Sequence, residues 1–202
     1  MAATPIHLSD VLITAQLAAR RQRTVDKAAE AEGLAAIAGS MSYGRDAVLA
    51  AICELALKLC QAGSSGISVL AENPEEGFTW DAMAGVFAPY LHGRAPRHHS
   101  PCGITIDAGQ PQLFARPDRY FEWLAAPGIP VHEGLVVPLF RAQREPYGAI
   151  WVMTHSPGAY FTQEHAALMS QLGDHVSAAL RIQVQRDQNV MKKRAPDLTG
   201  RA

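Results

Sequence analysis

Prolines divide this chain into three parts and limit what each part can become. Seven of the 13 prolines fall between Phe87 and His132. Proline fixes φ and removes a backbone donor, so neither a long helix nor a central strand can cross that stretch. A regular framework must therefore come from the flanks, and the material is sufficient: 202 residues with 48% hydrophobic content supply one buried core plus an extra helical segment. The middle is predicted to be long connecting structure with short helices, and long ordered loops in a compact domain usually carry function.

On the N-terminal side, Ser9 or Asp10 can cap a helix running through Val11, Leu12 and Leu17 past Arg20, and Ala28 to Ala38 continues with helical propensity. After Tyr43-Gly44, Val48, Ile52, Leu55 and Leu59 recur at i, i+4, i+7 and i+11, beside a second stripe of Leu49, Cys53, Ala56 and Cys60. Two adjacent stripes predict a helix packed broadly on a sheet. Ile67 and Val69 then alternate with Gly66 and Ser68, a turn occupies Asn73-Pro74-Glu75-Glu76-Gly77, and Phe78, Trp80 and Ala82 alternate again, giving an antiparallel pair. Gly134 to Phe140 and Tyr147 to Thr154 give a second pair, and Pro138, which has no N–H, requires a bulge or an exposed edge there. Thr162 caps a last long helix with Glu164 in its first turn and Leu168, Leu172, Val176 and Ala179 on its buried face, while the polar tail from Gln183 is expected to fray.

Helix, strand pair, long loops, strand pair, helix is the order of an α+β sandwich with an antiparallel sheet. Helices from both ends cover one face, and a cavity is expected beneath the loops on the other. The chain divides into an N-terminal helical segment at 1–42, a domain at 43–182 and a polar tail at 183–202.

The formal net charge of −1 creates no global field that would recruit nucleic acid or an anionic membrane, and the basic clusters at Arg20 to Arg23 and Lys192 to Arg194 read as solvated helix ends. Met1 to Asp10 lacks the charged start and apolar run of a signal peptide, and no stretch of about 18 apolar residues occurs, so a cytoplasmic location is expected. Three cysteines do not make a disulfide framework. Cys53 and Cys60 lie seven residues apart on one helix, where about 1.5 Å of rise per residue separates their Cα atoms by about 10 Å, beyond disulfide reach. They read as small buried hydrophobes, which leaves Cys102 as the one thiol outside a regular element.

The segment Arg94-Ala95-Pro96-Arg97-His98-His99-Ser100-Pro101-Cys102-Gly103 gathers two imidazoles, two guanidiniums and that thiol. Histidine titrates near neutrality, thiolate is a nucleophile and soft ligand, and arginine attracts anions. His98, His99 and Cys102, with His132 at a distance, can be read as metal or haem ligands. The competing reading is a structural turn in which Ser100 caps, Pro101 fixes φ, Gly103 takes a positive φ and Cys102 fills an apolar gap. Candidate pocket walls are Trp80, Tyr90, Phe114, Tyr120, Phe121 and Trp123, with Arg97, His98, His99 and His132 as polar contacts and Glu133 placed to tune His132. Trp80 and Trp151 lie in strands, where sheet packing competes with ligand contact, so the loop residues carry more weight.

These features together resemble a GAF domain, over roughly Tyr43 to Arg181 plus the N-terminal helices. Ala62 to Leu70 looks like its first helix-to-strand junction, and Gly134 to Leu139 followed by Tyr147 to Val152 looks like its last central strands. Pro96 to Gly103 looks like the Pro-Arg-x-x-Ser-Pro-Cys-Gly loop of a subgroup of bacterial sensor domains, often attached to histidine kinases. The resemblance implies a six-stranded antiparallel sheet with helices behind and a pocket in front. It also implies a small-molecule sensor of unspecified ligand and cofactor, which works as a homodimer or through a histidine kinase or other signalling partner; with no complete catalytic constellation and no kinase domain in the sequence, an enzyme is not expected. Two relatives supply alternatives through Cys102. Phytochrome-like members attach a linear tetrapyrrole to a loop cysteine usually followed by histidine, where this chain has Gly103. Free methionine sulfoxide reductases pair an attacking with a resolving cysteine, and the second is missing from the following loop.

Overall fold

The computed structural model describes the backbone of residues 5–194 and the side chains of residues 5–178 apart from Ala142. One turn of helix at Leu8–Val11 (α1) precedes two longer helices, Lys27–Ser40 (α2) and Arg45–Leu59 (α3). Next come strands Ser64–Leu70 (β1), Phe78–Gly85 (β2) and Arg94–Ala95 (β3), helix Pro101–Ala108 (α4), strand Gln112–Ala115 (β4) and a helical turn at Glu122–Ala125 (α5). Strands Glu133–Phe140 (β5) and Pro146–Thr154 (β6) lead into the last helix, Gln163–Arg194 (α6). The strands form one six-stranded sheet in the order β3-β2-β1-β6-β5-β4, with every neighbouring pair antiparallel.

Side chains alternate across a strand, so each face of the sheet has its own core. Ile67, Ala82, Leu135, Val137, Ile150 and Val152 meet both stripes of α3 and the Leu168, Met169, Leu172 and Val176 face of α6. Phe78, Val136, Ala149, Trp151 and Met153 form the second core with Cys102 and Ile106 of α4 and Leu124 of α5. Ala179, expected on the α6 seam, lies outside the described side chains.

One irregularity decides which residues face the loops. Ile67 pairs with Ala82 but Ser68 pairs with Trp80, so Asp81 is an extra residue in β2. Strict alternation puts Phe78, Trp80 and Ala82 on one face; the bulge instead turns Phe78 and Trp80 to the loop side while Ala82 stays with the helices. The Asp81 carboxylate is held by Thr79 Oγ1 at 2.8 Å and by the Arg45 guanidinium at the start of α3.

Several expectations need correction. The first helix stops at Val11 and a 3-10 turn follows at Thr14–Ala19. Leu12 bridges to Phe114, the Ile13 N–H donates to the Leu113 carbonyl at 2.8 Å, and the Leu113 N–H donates to Thr14 Oγ1 at 3.0 Å. Residues 12–14 thus strap the outer edge of β4, whose unpaired backbone outcompetes local helix propensity. The helix starts earlier than read as well: His7 is its N-cap residue and Asp10 accepts from the His7 N–H at 2.8 Å. The middle third is more regular than its prolines suggest, because Pro101 occupies the first turn of α4, where a missing N–H costs nothing. Cys102 therefore sits inside a helix. At the other end the backbone of 183–194, read as part of a polar tail, continues α6. Pro138 behaves as expected: β4 pairs with β5 only as far as Val136, leaving an open edge at the proline.

Candidate functional site

The floor of the loop face is built on Trp151 of β6. Its ring lies across Gly66 of β1, where even a methyl group would collide with the indole. The indole N–H donates to Ser68 Oγ at 3.0 Å, and the Cys102 thiol donates to the same oxygen at 3.6 Å. Ser68 and Cys102 are both buried, and burial pushes the thiol up to about 11, partly opposed by its bond to Ser68.

The proline-rich segment is the N-terminal brace of α4. Ser100 Oγ accepts the Gly103 N–H at 3.1 Å as N-cap. Gly103 is helical, not a positive-φ turn, and its lack of a side chain is needed because a Cβ would run into the Arg97 carbonyl. The Arg97 guanidinium donates to the Gly103 carbonyl at 3.3 Å and forks onto Asp107 at 2.5 and 3.3 Å. That contact holds the Asp107 carboxyl below its usual range. The arginine is thus spent inside the protein.

Between this helix and the floor lies a partly enclosed hollow of about 40 Å³, lined by Trp80, Met83, Phe87, Tyr90, Pro101, Cys102, Trp123, Leu124, Pro127, Val136, Trp151 and Met153. All three tryptophans of the chain are in its wall, and none of its lining side chains is charged. Of the residues singled out from sequence, Trp80, Tyr90, Cys102 and Trp123 meet there. The others are placed elsewhere. Arg97 faces Asp107; His98 is exposed with Nε2 3.3 Å from Glu75 Oε1; His99 is exposed, its Nε2 3.1 Å from the Tyr120 carbonyl and its ring against Tyr120 and Phe121. Phe114 and Phe121 pack edge to face in the core behind. His132 is fixed through its backbone, with its N–H on the Thr154 carbonyl at 2.9 Å. Glu133, read as a tuner of His132, instead receives both Nη atoms of Arg20 at 2.7 and 2.8 Å.

Met83, Phe87, Leu124, Pro127, Val136 and Met153 are walls that sequence reading passed over. Trp151 was legible as a strand aromatic, but which side of the sheet it faced depended on a register that no local pattern states.

A second polar cluster backs Phe87, whose ring meets His155 edge to face. His155 Nδ1–H donates to the Pro130 carbonyl at 2.8 Å, so Nε2 accepts the Ser64 hydroxyl at 2.7 Å. Ser64 Oγ in turn accepts the Phe87 N–H at 3.1 Å. With Ser64 fully buried, this serine–histidine contact pins the loop that carries Phe87 and offers no reachable nucleophile. Cys53 and Cys60 lie in the core on the helix side of the sheet, with both thiols pushed up to about 12 by burial. Among the described residues no three His, Cys, Asp or Glu side chains are grouped to hold a metal ion, and no helix is long and apolar enough to cross a membrane.

Comparison with known proteins follows the same outline. The family model described as "GAF domain" matches residues 43–181. The GAF domain of a phosphoenolpyruvate-protein phosphotransferase from Coxiella burnetii superposes with a TM-score of 0.66 at 14% identity, over 78% of this chain and 96% of that one. The free methionine-R-sulfoxide reductase of Neisseria meningitidis, solved with its substrate, gives 0.64 at 16% identity, over 83% and 98%. The photosensory core module of the Stigmatella aurantiaca phytochrome gives 0.65 at 16%, over 82% of this chain and 39% of its own. At such identities the likeness is one of fold. No curated protein is similar to this chain by sequence.

Proposed function

Since the chain belongs to the GAF domain family, we propose that it is a sensory module that binds a small molecule in the hollow under the 94–132 loops and signals through its terminal helices. The observation that carries this reading is the apolar hollow itself, which gathers all three tryptophans against the one sheet face that no long helix covers. A route to the helices exists. Val136 lines the hollow, while its neighbours Val137 and Leu139 point through the sheet to Gly173, where α6 packs close to the strand. Displacing α4 from the sheet strains β5 and so the seat of α6. Signalling further requires that ligand prefer one helix arrangement, because equal affinity for two states shifts neither. Readout through a homodimer, or through a histidine kinase or other signalling partner contacting α2 and α6, completes the proposal.

A sensory role is favoured over thiol chemistry. A buried thiol held up to about 11 is almost wholly protonated at neutral pH and already donates to Ser68, whereas sulfoxide reduction or thioether formation needs an accessible thiolate. The cysteines that would have to resolve a disulfide are on the far side of the sheet. The test is a thermal-shift and intrinsic-fluorescence screen of small metabolites on the wild-type protein and Cys102→Ser. A sensor responds saturably in both proteins. Turnover of a sulfoxide or a bound pigment, lost in Cys102→Ser, would replace this reading with one of the thiol alternatives.

A further inference from the structure

Resting on the proposal that the hollow binds a ligand, we infer that the ligand is an uncharged, largely apolar molecule built around a single ring, and that carboxylates, phosphates and amines are rejected. The argument is one of hydrogen-bond accounting. Ser68 Oγ receives both the Trp151 indole N–H and the Cys102 thiol. The Trp123 indole N–H is committed to the His99 carbonyl at 2.8 Å. The main-chain N–H groups of Trp80 and Phe87 are taken by the Gly93 carbonyl and Ser64 Oγ, while the indole N–H of the half-exposed Trp80 has no partner among the described residues. Pro101 and Pro127 in the wall have no N–H to offer. A ligand entering this space meets rings, thioethers and aliphatic carbons, and the buried polar groups behind them are already paired with one another.

Burying a polar group without a partner is costly, and burying a bare charge more so. The cations that would have compensated an anion are elsewhere: Arg97 is neutralised by Asp107, and His98 and His99 are on the outer surface. Only the partly exposed rim at Trp80 and Tyr90 tolerates a polar end.

Size follows from the walls. An apolar cavity of about 150 Å³ holds a benzene ring, and the hollow of about 40 Å³ is smaller, so the site opens by moving its softest members. Met83 and Met153 are unbranched thioethers that repack readily, and Trp80 and Trp123 stand tilted at 6.3 Å with partly exposed edges.

The series toluene, benzoate and benzylamine, with ethylbenzene as the uncharged match in size for benzylamine, tests the chemistry, with tryptophan emission and thermal shift as readouts. Toluene is expected to saturate and raise the melting temperature, with benzoate and benzylamine at least tenfold weaker. Ser68→Ala adds an arm that only this accounting predicts. Without its acceptor, the Trp151 N–H and Cys102 thiol seek a new one, so acetophenone, which carries a carbonyl, gains at least fivefold over toluene relative to wild type. Equal or tighter binding of benzoate or benzylamine overturns the ligand class while leaving the pocket in place. An unchanged acetophenone-to-toluene ratio in a folded Ser68→Ala overturns the accounting. If neither the series nor xenon, followed by ¹²⁹Xe NMR, binds saturably, the hollow is closed and the sensor reading fails with it.

Discussion

Arg20 and Glu133 join the N-terminal strap to the start of β5 and to the segment entering α6, and removing either partner should cost far more than an ordinary ion pair. The guanidinium forks onto both carboxylate oxygens at 2.7 and 2.8 Å and donates to the Phe161 carbonyl at 2.8 Å, while the Phe161 N–H donates back to Glu133 Oε2 at 3.0 Å. The two side chains are only 16% and 11% exposed. An exposed pair is worth under about 1 kcal/mol, whereas stranding one member of a buried pair costs about 3–5 kcal/mol. Glu133→Gln keeps an oxygen for the Phe161 N–H but leaves Arg20 charged and uncompensated. With the residual exposure, about 3 kcal/mol is expected, a fall in melting temperature of about 6–12 °C for a chain of this size. In the cycle of Arg20→Met, Glu133→Gln and the double variant, followed by urea unfolding, the double should lose about 2 kcal/mol less than the sum of the singles. The losses should also change little with salt. Single losses below 1 kcal/mol that simply add would show a solvated pair and remove the clamp from the account.

Gly66→Ala sets a methyl group into the Trp151 ring, so a loss of about 1–3 kcal/mol with red-shifted tryptophan emission is expected in urea titrations; unchanged stability would mean the indole is not seated there. Ser100→Ala removes the α4 cap and leaves the Gly103 N–H without its buried partner, for about 1–2 kcal/mol by the same assay. The three cysteines predict alkaline weakness. Their thiols are pushed from 9.0 up to about 12, 12 and 11 in the fold. Groups with raised native pKa contribute fully below their unfolded value and lose that contribution as pH rises toward the native one. Stability should therefore fall from pH 9 upward, toward about 4 kcal/mol per pH unit for three groups at about 1.4 each. A Cys53→Ala, Cys60→Ala, Cys102→Ala variant should flatten that limb, and an equally steep limb in the variant would refute the assignment.

The parts of this fold that were legible in sequence are those where one strong local pattern decides. The double stripe from Val48 to Cys60 could only be a helix against a sheet, and the strand pair around Asn73–Gly77 announced itself by alternation and turn residues. What stayed hidden was set by partners distant in sequence. Leu12 to Thr14 leave the helix because the β4 edge, about a hundred residues on, needs a partner. The bulge at Asp81, which sends Trp80 to the loop face, is stabilised from Arg45. Ser100-Pro101 was a readable helix start, with its cap and first-turn proline, but the surrounding loop chemistry drew attention to the charged and titratable residues. Those residues turned out to support the site from outside, and the wall is made of the apolar ones.

The most direct test of that wall uses the tryptophans themselves. With 5-fluorotryptophan incorporated, ¹⁹F NMR should give three resonances, from Trp80, Trp123 and Trp151, each assigned by a Trp→Phe variant. Titration with toluene should move all three along one saturation curve, since all three border the same hollow. Movement of Trp80 and Trp123 with Trp151 unaffected would place the ligand on the outer surface, and the claim of an internal binding site would be contradicted.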